Sequence, residues 1–269
     1  MHRLFLGLLF LLAVQGCTKA PKSEVAATAP AIKTELVDYE VDGAKLQALI
    51  AYDDAIKGKR PGVVIFHDWL GRGPYAEKRA KQLAELGYVA FAADLYGIGV
   101  YAKDHDEAAK LTGVYGDRSM MRKRSLAALE LIKKNPMVDD SRVAVMGYCF
   151  GGTASLELAR SGAEFGGAVV FHGSLDAKST EGTKPIKAKV LVLIGADDKF
   201  VTPAIPDFED EMRKANADWQ LTLYSNTVHG YTVPTAGNDP STGAAYSAQS
   251  DARSWQAMRD FFAEIFNSH

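Results

Sequence analysis

Cysteine is scarce in this chain of 269 residues: there are two, Cys17 and Cys149. One ends an N-terminal apolar run and the other lies mid-chain, so neither offers the other a disulfide partner, and no disulfide framework supports the fold. An excess of one charge is lacking too. Lys and Arg number 31 against 33 Asp and Glu, a formal net charge of −2. With no basic stripe, the chain has nothing to grip nucleic acid. There is no H-E-x-x-H, no C-x-x-C and no carboxylate cluster at ligand spacing, so no metal set is legible. The glycine-rich segments lack the Walker lysine and the strand–GxGxxG–helix setting, which leaves nucleotide binding unsupported and no cofactor to expect. No internal repeat is present, and the apolar run over residues 4–14 is too short to span a bilayer.

That run has a setting of its own. Met1-His2-Arg3 precedes it and Gln15-Gly16-Cys17 follows. A basic start, a short apolar core and a small residue before the break predict a secretory signal over 1–16. Cys17 directly after Gly16, with Val14 three positions before it, resembles a bacterial lipoprotein cleavage box, which would make Cys17 a lipidated anchor. Residues 17–32 are rich in Ala, Lys, Pro, Ser and Thr without hydrophobic period, as in a flexible tether. The expectation is an exported, periplasmic protein, lipid-anchored to a bacterial membrane. Residues 33–269 then form a single domain, expected as a monomer. An unpaired thiol in an exported protein is open to oxidation, so Cys149 is expected to have a task and to sit sheltered in a cleft.

Within the domain, strand patterns at 63–66, 88–92, 142–146, 167–171, 189–194 and 221–224 alternate with helical ones at 76–86, 118–134, 206–216 and 244–266. Two alternating segments, 34–41 and 46–52, flank Asp42-Gly43 as an opening hairpin. Alternation of this kind predicts an α/β fold with a mostly parallel, doubly wound sheet and flanking helices. The 118–134 helix is expected to bury Met121, Leu126, Leu129, Leu131 and Ile132. Residues 96–116 show no clean period and are expected to lie over the cleft, where Tyr101, His105 and Tyr115 could line a pocket but are expected to be solvated or locally packed.

Gly147-Tyr148-Cys149-Phe150-Gly151-Gly152 directly follows the apolar run 142–146. It has the nucleophile-elbow form G-x-S-x-G with Cys in place of Ser. A side chain thrust out at a sharp strand-to-helix turn needs neighbours with no Cβ. The thiol then sits at a helix N-terminus, where free N–H groups favour a thiolate and a developing oxyanion. Downstream, in the order such sites use, come Asp197-Asp198 just past the 189–194 strand and His229-Gly230-Tyr231 past the 221–224 strand. Spacing alone leaves Asp197 and Asp198 both open. His172, past the end of another strand, could face the pocket or bond loop backbone.

From about residue 34 to 266 the chain resembles the dienelactone hydrolase family, a Cys-nucleophile branch of the α/β-hydrolases. Ala252-Arg253-Ser254-Trp255-Gln256-Ala257-Met258 is similar to the C-terminal segment of its bacterial members. The resemblance implies an α/β-hydrolase fold, Cys149 as nucleophile, His229 as general base and Asp198 as its orienting carboxylate. It also implies an oxyanion hole made by the backbone N–H groups of Trp69, in His67-Asp68-Trp69-Leu70-Gly71, and of Phe150. A carboxylate in that segment controls the resting thiol in the family; here it would be Asp68, one methylene shorter than the usual Glu.

Two departures bear on substrate. Ile98 and Val233 stand where the family's lactone-binding arginines are expected, and neither can pair with a carboxylate. The expected substrate is therefore a small, less acidic ester, lactone or thioester, cleaved through a covalent acyl-enzyme. Two rivals belong to other classes. One is a non-catalytic surface lipoprotein that uses the fold as a binding module. The other is a thiol-based redox sensor, which would want a resolving cysteine that the chain lacks.

Overall fold

The computed structural model describes residue 2 and residues 29–177 and 184–267. The expected signal (residue 2 aside), Cys17 and the tether up to residue 28 lie outside the described residues. The chain enters the sheet at once: Ala31 N–H donates to Asp53 Oδ1 at 2.9 Å, and β1 begins at Ile32.

Strands β1 (Ile32–Val41) and β2 (Ala44–Asp53) form an antiparallel hairpin. Its turn residues Asp42 and Gly43 both have positive φ, 50° and 80°, the twist that a two-residue hairpin requires. Strands β3 (Arg60–Phe66), β4 (Val89–Ala93), β5 (Val138–Tyr148), β6 (Gly167–Phe171), β7 (Lys189–Gly195) and β8 (Trp219–Tyr224) complete an eight-stranded sheet. The order is β1-β2-β4-β3-β5-β6-β7-β8. β2 meets β4 antiparallel, and every pairing from β4 through to β8 is parallel.

The central strands are apolar on both faces because helices cover both. Period-two alternation splits them: Val63 and Ile65 join one core, Val64 and Phe66 the other. The first core is closed by α1 (Pro74–Glu85) and α6 (Ala248–Asn267) through Leu83, Met258 and Phe262. The second is closed by α3 (Ser119–Lys133), α4 (Phe150–Arg160) and α5 (Ile205–Lys214) through Leu129, Leu158 and Phe208. Arg79 clasps α1 to α6, with Nη2 2.5 Å from Asp251 Oδ1 and its guanidinium 5.1 Å from the Trp255 ring. Among the described residues no helix is long and apolar enough to cross a membrane.

Three expectations shift. Residues 96–116 include a helix, α2 (His105–Gly113), which the pattern hides because only Ala108 is buried. Asp104 caps it, accepting Glu107 N–H at 2.8 Å. On α3 the buried face is Met121, Ser125, Ala128, Leu129 and Ile132, whereas Leu126 is exposed and Leu131 only partly buried. Leu126 lies five residues, about 140°, round the helix from Met121. The last helix starts at Ala248 rather than at 244, because residues 243–245 are occupied in holding the His229 loop.

Candidate active site

Cys149 stands at the corner between β5 and α4 with φ 53° and ψ −114°, a conformation that non-glycine residues rarely adopt. The surroundings enforce it. Cys149 N–H donates to Phe171 O at 2.9 Å, and Cys149 O accepts Thr153 N–H at 3.1 Å. A Cβ on Gly151 would strike the carbonyls of Phe66 and His67, and one on Gly147 would strike Gly151 itself. One on Gly152 would come 2.9 Å from Phe171 O. α4 is fixed from behind by the fully buried Glu157, 2.8 Å from both Arg122 and Arg160, the latter also gripping Glu211 on α5 at 2.6 Å.

His229 arrives on the loop after β8. Its N–H donates to Gly243 O at 3.2 Å, and its carbonyl accepts Ala245 N–H at 3.1 Å. The ring lies between two functional groups: Nε2 is 3.2 Å from Cys149 Sγ, and Nδ1 is 2.7 Å from Asp198 Oδ2. Asp198 is fully buried past the end of β7, and its other oxygen accepts Phe200 N–H at 3.0 Å. Asp197 is exposed, so geometry separates the two candidates that spacing left open. Burial alone would depress the His229 imidazole; the electrostatic interaction with Cys149 and the bonds to Asp198 and Cys149 carry it up to about 10 instead. Phe200, 68% exposed, meets His229 edge to face at 5.7 Å. Cys149 itself is half-buried.

His172 is buried directly against His229. Its ring meets that of His229 at 5.1 Å, and its Nε2 is 2.8 Å from Thr232 Oγ1. Burial first, and then the nearby His229 charge, hold it well below the ordinary range, so it stays neutral. Thr232 Oγ1 also accepts Tyr75 OH at 2.7 Å. Sequence reasoning missed Thr232 and Tyr75, which lie 157 residues apart.

Phe150 is the first residue of α4, so its N–H has no acceptor within the helix. Trp69 lies in the turn after β3, its carbonyl accepting Tyr96 OH at 3.0 Å. That turn touches the start of α4 through the Gly151–Phe66 and Gly151–His67 packing. Asp68 is buried, and its Oδ1 accepts Leu70 N–H at 2.8 Å, the turn-capping role open to such a residue. The hydrogen-bond partner seen at the thiol is His229, not Asp68. Burial pushes the Asp68 carboxyl up to about 6. Ile98 is 44% exposed and Val233 partly buried. Tyr101 packs over Gly71 and Gly73, exposed His105 meets the Trp69 ring at 5.0 Å, and Tyr115 is buried with its hydroxyl on Leu95 O. Among the described residues no group of His, Cys, Asp or Glu is placed to hold a metal ion.

An eight-stranded, mostly parallel sheet with a strained cysteine at a strand-to-helix corner and a histidine–carboxylate pair beside it defines the α/β-hydrolase fold. Within it, a family model described as "Dienelactone hydrolase family" matches residues 46–266, and the chain belongs to that family. It is similar to a solved structure named m3DLH, at 40% identity and TM-score 0.84, covering 88% of this chain and all of that one. A dienelactone hydrolase-like promiscuous phosphotriesterase from metagenomic libraries matches at 39% identity and TM-score 0.82, with 88% and 100% covered. A carboxymethylenebutenolidase of a Pseudomonas species is 29% identical over 153 residues, 54% of this chain and 63% of that protein. The protein is a hydrolase of small lactone or ester substrates.

Proposed function

We propose that hydrolysis proceeds through a covalent acyl-enzyme on Cys149. The observation that carries this is the succession of Cys149 Sγ, His229 and buried Asp198, at 3.2 and 2.7 Å. The Cys149 thiolate attacks the substrate carbonyl, forming an S–C bond. The N–H groups of Trp69 and Phe150 receive the oxyanion. As the tetrahedral species collapses, the C–O bond breaks and His229 Nε2–H protonates the departing alkoxide, leaving a thioester. Water then adds with His229 taking its proton, and collapse of that adduct releases the carboxylic acid and restores the thiolate. Asp198 keeps Nδ1 protonated and the ring aimed at sulfur.

The substrate is a small ester, lactone or thioester without a free carboxylate near the reacting carbonyl, since Ile98 and Val233 present no cation there. The mature enzyme is exported and lipid-anchored through Cys17, which supports work in the periplasm. The test is a panel of short p-nitrophenyl esters, simple lactones and one aryl phosphotriester, the last prompted by the relative named for that activity. It is run on wild type, iodoacetamide-treated protein and Cys149→Ala. Turnover is expected for the carboxylic esters and to vanish in both modified forms. Residual turnover in Cys149→Ala refutes the nucleophile; no turnover by the wild type moves the protein to a binding role.

A further inference from the structure

His67 is a fully buried titratable group that this mechanism does not use. Its two ring nitrogens settle its proton between them. Leu95 N–H, which can only donate, lies 3.1 Å from Nε2, so Nε2 is the acceptor. Asp68 O, which can only accept, lies 2.6 Å from Nδ1, so Nδ1 carries the hydrogen. An imidazolium could not accept from Leu95. Burial holds the ring down to about 4, so this neutral tautomer persists through the neutral range.

The carbonyl that His67 grips is one edge of the Asp68–Trp69 peptide. That peptide is trans, and in a planar trans unit the N–H points opposite to the C=O. Fixing Asp68 O therefore fixes Trp69 N–H. The same ring stacks on Phe150 at 6.0 Å with planes 23° apart and takes the Tyr96 ring at 4.7 Å. The backbone of His67 also lies against the first turn of α4, where a Cβ on Gly151 would strike its carbonyl. One side chain thus touches the carriers of both oxyanion donors.

We propose that His67, as its Nδ1–H tautomer, is the positioning residue that holds Trp69 N–H in register with Phe150 N–H. The proposal rests on the acyl-enzyme reading above. The full-length protein, His67→Leu and His67→Asn are compared for p-nitrophenyl acetate hydrolysis and for the rate of Cys149 alkylation by iodoacetamide. Alkylation needs the thiolate but forms no oxyanion, so a disturbed nucleophile and a disturbed hole give different results. His67→Leu is expected to lower kcat about 10- to 100-fold, short of the 10²–10³-fold for outright loss of an oxyanion donor, with KM and alkylation little changed. Asn, which keeps a donor near the Nδ1 position, should recover most of the loss.

Unchanged kcat in His67→Leu overturns the proposal while leaving the hydrolase intact. So does a fall in kcat matched by alkylation, or equal impairment in Leu and Asn. Should His67→Leu not fold, 15N NMR of the wild type decides: Nδ1 protonated and Nε2 bare from pH 6 to 9 supports the proposal, and the opposite tautomer overturns it. A wild type without cysteine-dependent turnover sinks the underlying reading and the proposal together.

Discussion

At Cys149 the chain is pinned by backbone packed against backbone, whereas at His229 it is pinned by hydrogen bonds and rings drawn from three segments. The corner depends on Gly147, Gly151 and Gly152 standing where any Cβ would meet a main-chain atom. The histidine arm depends on Asp198, on Gly243 and Ala245, on His172 and on Phe200. Main-chain atoms cannot swing aside as a side chain can, so the corner tolerates almost nothing. A set of separate polar and ring contacts degrades by steps. The same site therefore has one part specified locally and one specified by the tertiary structure.

The sharpest way to break this contrast is a methyl group. Gly151→Ala pushes Cβ into the Phe66 and His67 carbonyls and should cost more than about 4 kcal/mol, the range of severe core disruption. Gly230→Ala, beside His229 at φ 66°, finds its nearest neighbour at 3.8 Å. It should cost only the roughly 1–2 kcal/mol of a left-handed backbone. Urea unfolding of both variants checks the pair, and equal losses would erase the distinction between corner and arm.

The turn that joins the two regions offers a test by pH. Burial raises the Asp68 carboxyl from 3.8 to about 6, so the folded state holds this proton more tightly than the unfolded one. Below pH 4 both states are protonated and no penalty exists. Between about pH 4 and 6 the unfolded state gives up this proton while the folded state keeps it, so stability falls until both are ionised. Asp68→Asn removes that loss. Its stability relative to wild type should rise by up to about 3 kcal/mol between pH 4 and 7. His67, whose proton is held less tightly in the folded state, contributes an opposite slope over an overlapping window, and it does so in both proteins. Denaturant midpoints at three pH values measure the difference. A difference that stays flat with pH would mean that the Asp68 charge is well solvated.

What could be read from sequence follows the same division. The elbow was legible because its constraint is written in three glycines within six residues around one cysteine. The strands were legible from apolar runs, and the hairpin from Asp42-Gly43. Asp197 and Asp198 were not separable, because the choice is made by the cap to Phe200 N–H and by burial against His229, neither of which has a spacing. Helix α2 did leave a signal in Asp104-His105-Asp106-Glu107, a cap three residues ahead of a glutamate, but its one buried residue gave no period to confirm it. The contacts of Thr232 with Tyr75 and His172 join three distant segments, and no local pattern encodes them.

Thr232 gives the smallest and most telling test of the arm. It is fully buried, and its hydroxyl serves both Tyr75 OH and His172 Nε2, at 2.7 and 2.8 Å. Valine has nearly the same shape and no hydroxyl. In Thr232→Val the tyrosine keeps the residue 232 carbonyl, now 3.1 Å away, but Nε2 of the buried His172 is left without a partner. The cost should be about 1–3 kcal/mol, that of one unsatisfied buried polar group. His172 then supports the His229 ring less firmly, so kcat should fall by less than about tenfold (under about 1.4 kcal/mol), with KM unchanged. Thr232→Ser, which restores the hydroxyl, should recover both. Unfolding midpoints and steady-state ester hydrolysis read the two effects separately. If Thr232→Val instead lost activity as completely as Cys149→Ala, the arm would be as intolerant as the corner, and graded support of the histidine would be the wrong description.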